Sequence, residues 1–361
     1  MANDWEQRKV KEVANRYDNL RIPVAANLRK KGTTPYYGAN GIQDYVEGYT
    51  HNGEYVLVAE DGANDLKNYP VKCVKGKIWV NNHAHVLQTM PEIADNTFLT
   101  YSINQADIES LLVGGGRAKL NAEVLMGIEL FFPSKEEQVI IGKYIGDIDK
   151  LITLHQRKYD KLVDVKKSLL EKMFPQGDDT TPKIRFKGFT ETWEQRKAKE
   201  LCNIATGKSN TQDQKEDGEY PFYIRSDIPV RSDKYLYDCE AVITIGDGNI
   251  GKVFHYVNGK FDLHQRCYKM TDFKDIYGKY FYYFFSTKFY DRAMKMTAKA
   301  TVDSVRLEMI SEMDIMFPKI IEEQKNISSI FNAIDKLITL HQRKLEKLKN
   351  IKSALLEKMF V

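Results

Sequence analysis

The sequence predicts an α+β protein built as an internal repeat, with two β-rich globular blocks and a long helix after each block. Three observations lead to this prediction. The decamer DKLITLHQRK begins at Asp149 and again at Asp335. The pentapeptide WEQRK occurs at 5–9 and at 193–197. Each block also contains a short apolar strand that ends in an Asp-Gly turn, although the two blocks share little side-chain identity.

The repeated ends predict where the chain divides. The expected segments are a first globular block at 1–130, a first long helix at 131–174, a connector at 175–192, a second block at 193–316 and a second long helix at 317–361. The connector contains two prolines, two glycines and several polar turn-forming residues, which is typical of a linker. The pattern indicates two nearly identical helical supports that hold two different blocks.

The long helices are predicted from the spacing of their apolar residues. The segments 149–174 and 335–360 are identical at 19 of 26 positions. In both, apolar residues recur at alternating steps of four and three over about four heptads, which is typical of a coiled coil. His155 and His341 occupy the same seam position near the middle of each helix. We expect neither histidine to lie on the exposed outer face.

The apolar stripe on each helix is wider than one helical partner requires. The leucines beside the seam are Leu151, Leu154, Leu170, Leu337, Leu340 and Leu356. One interpretation is that these leucines dock another subunit. The alternative is a plain pair of helices that pack on each other within the chain, with no outside partner.

Composition limits the class of protein. The 361 residues are 42% hydrophobic with a net charge of +4, a balance that permits nucleic-acid binding without requiring it. Four cysteines without a CxxC pair indicate reduced thiols. No apolar run reaches the roughly 18 residues that a membrane span needs. We therefore expect a cytoplasmic protein without a membrane partner.

Several motifs that often mark an enzyme or a metal site are weak here. The string GDGNIG at 246–251 satisfies GxGxxG, but strand-like residues follow it, so we predict a hairpin turn and no dinucleotide site. The histidines of NNHAH and HQRC lack further ligands at zinc spacing, so no metal is expected. No Walker loop or GxSxG elbow occurs either, and no catalytic residue is predicted.

Polar side chains near the strand ends predict a DNA-binding surface, because Asn, Gln, His and Arg can hydrogen-bond to base edges. The candidate base readers are Asn82, His83 and His85 in the first block and His264, Gln265 and Arg266 in the second. The candidate loop and phosphate contacts are Tyr36, Tyr37, Asn40, Arg117, Lys119, Asn121, Lys299, Thr301 and Ser304. The two tyrosines are expected to be exposed. The alternative is that these polar groups only terminate strands.

Taken together, these residues resemble the specificity subunit of Type I restriction–modification systems over essentially the whole chain. The resemblance includes the WEQRK starts, the FP…EEQ helix entries, the IDKLITLHQRK…LLEKMF helices and the strings YYGANGI, EDG and NNHAHVL. It implies that each block is a target-recognition domain that reads one half of a bipartite DNA sequence. It also implies that the long helices run antiparallel about a pseudo-two-fold axis and fix the spacer between the half-sites.

The resemblance also implies partners. Two modification (methyltransferase) subunits are expected to dock on the helices, and restriction subunits to add translocation and cleavage of double-stranded DNA. S-adenosylmethionine, ATP and Mg²⁺ would belong to those partners, so this chain is expected to hold no cofactor and to be non-catalytic. The rival interpretation is a coiled-coil scaffold whose globular blocks bind protein.

The two copies differ at their starts. The second has PKIRFKGFTET before its tryptophan, whereas the first has four residues. The first block thus lacks a segment that the second has for docking, and the anchoring of its N-terminus is left open.

Overall fold

A computed structural model of the chain describes residues 5–114, 118–177, 179–297 and 304–360. The chain forms two compact units. Unit 1 contains residues 1–156 and 342–361, and unit 2 contains residues 157–341. Each unit therefore contains one globular block, the beginning of the long helix that follows this block, and the end of the other long helix.

The described residues of unit 1 form a six-stranded sheet, a two-stranded sheet and several helices. Its strands are β1 (Glu6–Lys9), β2 (Ala14–Arg16), β3 (Lys31–Gly38), β4 (Gly41–Val46), β5 (His51–Ala59), β6 (Val71–Val80), β7 (Ala84–Thr89) and β8 (Glu129–Phe132). Its helices are α1 (Val10–Val13), α2 (Asn96–Gln105), α3 (Ala122–Gly127) and α4 (Lys135–Met173), of which the last continues into unit 2. The large sheet has the order β2-β7-β5-β6-β3-β4, and β1 pairs with β8.

Unit 2 repeats this connectivity. Its strands are β9 (Glu194–Lys197), β10 (Asn203–Thr206), β11 (Tyr220–Tyr223), β12 (Val230–Ser232), β13 (Tyr237–Ile245), β14 (Phe254–Leu263), β15 (Cys267–Thr271) and β16 (Asp314–Phe317). Its helices are α5 (Ala198–Leu201), α6 (Gly278–Thr297), α7 (Leu307–Ser311) and α8 (Ile321–Met359), of which the last continues into unit 1. The sheet order β10-β15-β13-β14-β11-β12 matches that of unit 1 strand for strand. The predicted α+β fold with an internal repeat is confirmed.

The central strands are the apolar runs that precede the Asp-Gly turns. Residues 55–59 of β5 and 241–245 of β13 are buried without alternation, as expected for strands covered on both faces. The segment 246–251 is a turn between β13 and β14, which pair antiparallel along their length. Gly248 has a φ of +84°, a conformation that favours glycine. The predicted hairpin turn is confirmed, and no helix begins in this segment.

The long helices α4 and α8 each contain 39 residues, about 58 Å at 1.5 Å per residue. Within unit 1 the end of α8 lies antiparallel to the start of α4. Phe360, after the end of α8, packs on Phe98, and the backbone of Phe98 lies against Gly142 near the start of α4. Lys352, earlier on α8, lies 2.7 Å from Asp149, which is later on α4. Because the α8 numbers fall as the α4 numbers rise, the two segments run in opposite directions.

Within unit 2 the same arrangement holds with the roles of the helices exchanged. Phe174 stacks on Phe331 with ring centroids 5.7 Å apart, and Lys166 lies 2.6 Å from Asp335. The first residue of the repeated decamer, Asp149 or Asp335, therefore forms an ion pair with a lysine of the other long helix in both units. The same aspartate accepts a hydrogen bond from a tyrosine in a helix of its own globular block. In unit 1 the Tyr101 hydroxyl donates to Asp149 at 2.7 Å, and in unit 2 the Tyr283 hydroxyl donates to Asp335 at 2.9 Å.

The helical seam follows the predicted register. The buried apolar residues along it include Ile141, Ile145 and Ile148 on α4 and Ile327, Phe331, Ile334 and Leu345 on α8. His155 and His341 are both half-buried. Neither histidine therefore lies on an exposed outer face.

A buried glutamine fixes the start of each long helix to its globular block. Gln138 donates from Nε2 to the carbonyls of Pro133 and Ile93, at 2.9 and 3.2 Å, and its Oε1 accepts the Asp95 N–H at 3.1 Å. Gln324 makes the equivalent bonds in unit 2. Its Nε2 donates to the carbonyls of Pro318 and Asp275, and its Oε1 accepts the Tyr277 N–H. The glutamine of the repeated EEQ string therefore serves the same structural purpose in both units.

The N-terminal segments that differ between the copies are both held by packing. In unit 1 the Trp5 ring packs edge-on against Phe98 and Phe360, with centroids 5.8 and 6.2 Å away. In unit 2 the connector adds an ion pair, in which Arg185 binds the fully buried Glu323 through two bonds of 2.7 and 2.9 Å. The first copy is thus anchored through its tryptophan.

We expect Arg185→Ala to destabilise unit 2 by about 3 kcal/mol, because it leaves the Glu323 carboxylate buried without its cation. Hydrogen–deuterium exchange of the full chain should show faster exchange in peptides of unit 2. Peptides of unit 1 provide an internal reference. The double variant Arg185→Ala, Glu323→Gln should recover part of the protection, since it removes the buried charge. Unchanged exchange in unit 2 would show that the ion pair does not stabilise it.

Candidate nucleic-acid interface

In unit 1, four loops converge beside the ends of β3, β5 and β7. The Glu60 N–H donates to the His83 carbonyl at 2.9 Å, and the Leu120 N–H donates to the Glu60 carbonyl at 2.7 Å. Asn40 Nδ2 donates to the Gly62 carbonyl at 2.9 Å. We call the described residues of these loops, 39–41, 60–64, 81–83 and 118–121, loop cluster 1.

In unit 2, the corresponding loops follow the same path. The Gly246 N–H donates to the Arg266 carbonyl at 2.7 Å, and the Val305 N–H donates to the Gly246 carbonyl at 2.6 Å. We call residues 224–226, 246–249, 264–266 and 304–305 loop cluster 2. Because equivalent backbone groups hold both clusters, their side chains can be compared position by position.

The loops before β7 and β15 each begin with a residue that holds the turn of the backbone, Asn81 in unit 1 and His264 in unit 2. We call this the corner position. Asn81 donates its N–H to the Tyr37 carbonyl at 3.0 Å, and its Oδ1 accepts the His83 N–H at 2.8 Å. His264 does the same in unit 2: its N–H donates to the Tyr223 carbonyl at 3.0 Å, and its Nδ1 accepts the Arg266 N–H at 3.1 Å. His264 is buried, so it shapes the loop and is not placed to reach a base, contrary to the prediction.

Loop cluster 1 contains a network of opposite charges. His83 Nδ1 lies 2.5 Å from Asp61 Oδ1. Glu60 binds Arg21 at 2.6 Å and Lys119 at 2.9 Å. Burial raises the pKa of Glu60, but the hydrogen bonds from the two cations outweigh burial, and the pKa lies below its usual range. Glu60 therefore stays ionised at neutral pH and holds Arg21 and Lys119 beside it.

Loop cluster 2 contains one carboxylate between two arginines. Asp247 Oδ2 accepts from Arg266 Nη1 at 2.8 Å, and both oxygens of Asp247 lie 3.2 Å from Arg225 Nη1. Burial raises the pKa of Asp247, but the two arginines outweigh it and the pKa is lowered. The sequence analysis missed both Asp247 and Arg225. The only local signal for Arg225 is a cation two residues after a strand, which is too common to be informative.

Three more of the predicted contacts are buried, in addition to His264. Tyr36 and Tyr37 have only 1% and 7% of their surface exposed, so the expectation of exposed tyrosines is wrong. The Tyr36 hydroxyl accepts the Val24 N–H at 2.9 Å. His85 is 1% exposed, with Nδ1 2.7 Å from Asp18 and Nε2 donating to the Leu120 carbonyl at 2.9 Å. Since other parts of the chain cover these side chains, they are not available to DNA.

The remaining candidates divide into two groups. Those at the surface of the loop clusters are Asn40, Asn82, His83, Lys119, Asn121, Gln265, Arg266 and Ser304, of which His83 and Ser304 are half-buried. Arg117, Lys299 and Thr301 lie outside the described residues. The clusters thus bring together amide, imidazole and guanidinium groups, which are the donors and acceptors that recognise base edges and phosphates.

One group of side chains has the composition of a metal site. Ligand atoms of Asp18, Glu60 and His85 all lie within 4.8 Å of one another. However, Arg21 binds Glu60 at 2.6 Å and approaches Asp18 at 3.6 Å, and Lys119 also binds Glu60. Two cationic side chains already balance the carboxylates, so we assign this group as an ion-pair network.

The predicted docking leucines also divide into two groups. Leu151, Leu154, Leu337 and Leu340 are each about 45% exposed. Leu170 and Leu356 are half-buried and pack against the cores of units 2 and 1, respectively. These two leucines attach the end of each helix to a globular block and are not free to dock a partner. No helix in the described part of the chain is long and apolar enough to cross a membrane.

The fold and its loop clusters define a class of protein with tandem α+β units, in which near-identical helices support two different polar surfaces. Residues 2–163 and 190–350 each match the family model of the Type I restriction modification DNA specificity domain. The chain belongs to this family and contains the domain twice.

Known relatives agree with this assignment. Over 150 residues the chain is 42% identical to a putative type I restriction enzyme specificity subunit of Haemophilus influenzae, covering 42% of this chain and 39% of the relative. It is 24% identical over 228 residues to the MjaVIII specificity subunit of Methanocaldococcus jannaschii, covering 58% and 51%. The matched part is thus between 39% and 51% of the length of these relatives.

A solved structure has the same fold. The crystal structure of the S subunit of a Type I restriction–modification system from M. genitalium superposes with a TM-score of 0.83, over 100% of this chain and 97% of that one. The two sequences are 15% identical in this comparison. The likeness therefore establishes the architecture, while the loop clusters have to be interpreted from their own residues.

We expect the stability of unit 2 to fall as the pH decreases from 7 to 5, partly because of His264. Burial, Arg225 and Arg266 lower the pKa of His264 below its usual value near 6.5. The unfolded chain then binds more protons than the folded one, so the stabilising contribution is complete above pH 6.5 and is lost in acid. His255 in the same unit also has a pKa lowered by burial and adds to the effect.

Two variants distinguish the effect of His264 on the stability of unit 2 from the effects of other groups that bind protons in acid. His264→Asn restores the residue type of unit 1 and should weaken the pH dependence of the urea midpoint while keeping an acceptor for the Arg266 N–H. His264→Ala leaves that N–H unpaired and should cost about 1–2 kcal/mol at pH 7.5. Equal pH dependence in His264→Asn and the unmodified protein would contradict the assignment.

Proposed function

We propose that this chain is the non-catalytic DNA-specificity subunit of a Type I restriction–modification complex, in which each unit reads one half of a bipartite target. The proposal is supported by a single contrast. Loop clusters 1 and 2 share one backbone arrangement but display different side chains, while the helices that support them are almost identical in sequence. Two different readers on equivalent supports suit an asymmetric target, which a homodimer of one reader does not.

The exposed chemistry of the clusters suits duplex DNA. Lys119 and Arg266 provide cations for phosphates and for guanine, and Asn82 and Gln265 provide amides that pair with adenine. A surface built for a small substrate would be a closed pocket with converging polar groups. Here the polar groups lie on loops at the surface instead.

The partners follow from the family. Two modification subunits would supply S-adenosylmethionine chemistry, and restriction subunits would use ATP and Mg²⁺, with the whole complex in the cytoplasm. The leucine pairs Leu151 with Leu154 and Leu337 with Leu340 provide equivalent exposed apolar surface on the two helices. Two copies of one surface suit the binding of two copies of one subunit.

The second candidate is a scaffold whose globular blocks bind protein, since exposed leucines on long helices suit that function equally well. The salt dependence of DNA binding distinguishes the two candidate functions. Affinity of the assembled complex for DNA should fall steeply between 50 and 200 mM salt for a DNA reader, because counterions are released from the phosphates. A scaffold would show weak DNA binding at all salt concentrations.

We expect Arg266→Ala, assembled with its partner subunits, to relax one half of the target and leave the other half unchanged. Binding selection from a random DNA library would measure both halves at once. Arg157→Ala, a change of an exposed arginine on α4 in the same unit, is the matched control. Equal weakening of both halves by Arg266→Ala would identify a backbone contact or a structural role instead.

A further inference from the structure

Loop cluster 2 contains two arginines that share one carboxylate. We propose that Asp247 holds Arg225 and Arg266 as a two-arginine fork, and that this fork reads guanine in the half-site recognised by unit 2. The inference rests on the proposed function, because it names the residues and the base chemistry of the same surface. Arg225 and Asp247 are thereby added to the residues that determine specificity.

The geometry of the fork leaves its recognition groups accessible. Asp247 contacts both arginines through their Nη1 atoms, at 2.8 Å for Arg266 and 3.2 Å for Arg225. The arginine side chains are 62% and 46% exposed, whereas that of Asp247 is 19% exposed. A guanidinium group has five N–H donors, so a contact through Nη1 alone leaves donors on each arginine for a ligand.

The backbone under the fork is fixed at Arg266 and at Asp247. The Arg266 carbonyl accepts from the Gly246 N–H at 2.7 Å, and its own N–H is held by His264. Asp247 forms a β-bridge with Ser304. Arg225 lies two residues after Tyr223, whose carbonyl accepts the His264 N–H. Arg266 and Asp247 therefore extend from hydrogen-bonded backbone, and Arg225 extends from the loop that follows β11.

Stability alone does not account for this arrangement. Ion pairs between exposed side chains contribute little to folding, since water and salt screen them. Two guanidinium groups that share one carboxylate also leave a net positive charge and repel each other. Such a cluster is well suited to an electron-rich ligand, because restricting the arginines before binding reduces the ordering cost on association.

Guanine matches the donors of the fork. Its major-groove edge presents two acceptors, N7 and O6, and a guanidinium group can bind both with two parallel N–H bonds. Adenine places an N6 amino donor where guanine has O6, so the second bond would bring two donors together. An arginine held in one orientation therefore discriminates between the two purines.

Unit 1 has a different set of side chains at the equivalent positions. His83 occupies the position of Arg266, and Asp61 the position of Asp247, as their shared backbone bonds indicate. The parallel strand pairs align Tyr37 with Tyr223, which places Ala39 at the position of Arg225. Among the described residues, unit 1 thus has an imidazole in place of Arg266 and an alanine in place of Arg225, so the two half-sites should differ at this position.

The test uses the complete complex with its partner subunits and a random DNA library. Asp247→Asn and Arg225→Ala should each reduce the preference for guanine at a position in the unit 2 half-site by about ten-fold or more. The other half-site should keep its preference. Arg225→Lys keeps the charge but not the planar donor pair, so it should lose the guanine preference as well. The matched control is Asp61→Asn, whose effect should be confined to the unit 1 half-site.

Two results would overturn the inference. One is an unchanged guanine preference in Arg225→Ala and Asp247→Asn. The other is a loss of affinity that is equal for all sequences, with a smaller salt dependence and with rescue by Arg225→Lys, because that result identifies phosphate contacts. Hydrogen exchange of unit 2 in each variant distinguishes these results from unfolding. If the unmodified complex selects no bipartite sequence, the proposed function itself fails.

Discussion

The structure depends on one buried hydrogen-bonding group in each unit, the glutamine at the start of the long helix. Gln138 and Gln324 are almost completely buried, and each is bonded to three backbone groups that belong to its helix entry and its globular block. A buried amide without partners is costly, so these bonds select one orientation of the helix relative to the block. The other long helix packs antiparallel to this start through contacts of its own, among them Lys352 with Asp149 and Lys166 with Asp335.

The loop clusters show how two different surfaces can form on one fold. Bonds between backbone groups, such as Glu60 with His83 and Gly246 with Arg266, set the path of the loops in both units. The exposed side chains contribute little to those bonds, so their identity can change at small cost in stability. The corner position is more constrained, and there Asn81 and His264 supply the same acceptor with different chemistry. Specificity and stability therefore depend on different atoms of the same loops.

In both loop clusters, a carboxylate holds the cationic side chains around it in place. Glu60 and Asp247 both have a lowered pKa although burial acts in the opposite direction, because cations are bonded to them. In unit 1 the side chains of these cations, Arg21 and Lys119, are 15% and 46% exposed, whereas those of Arg225 and Arg266 in unit 2 are 46% and 62% exposed. The two surfaces are thus different in electrostatic character although their backbones correspond.

The sequence alone determined the repeat, the two long helices, the central apolar strands and the turn at 246–251, because these features depend on identity and on local periodicity. It did not determine which polar residues reach the surface. His85 and His264 are buried, Arg225 meets Asp247 across 22 positions, and Leu170 packs on a globular core. Burial and ion pairing depend on contacts between residues that are distant in the chain, and only the tertiary structure brings these residues together.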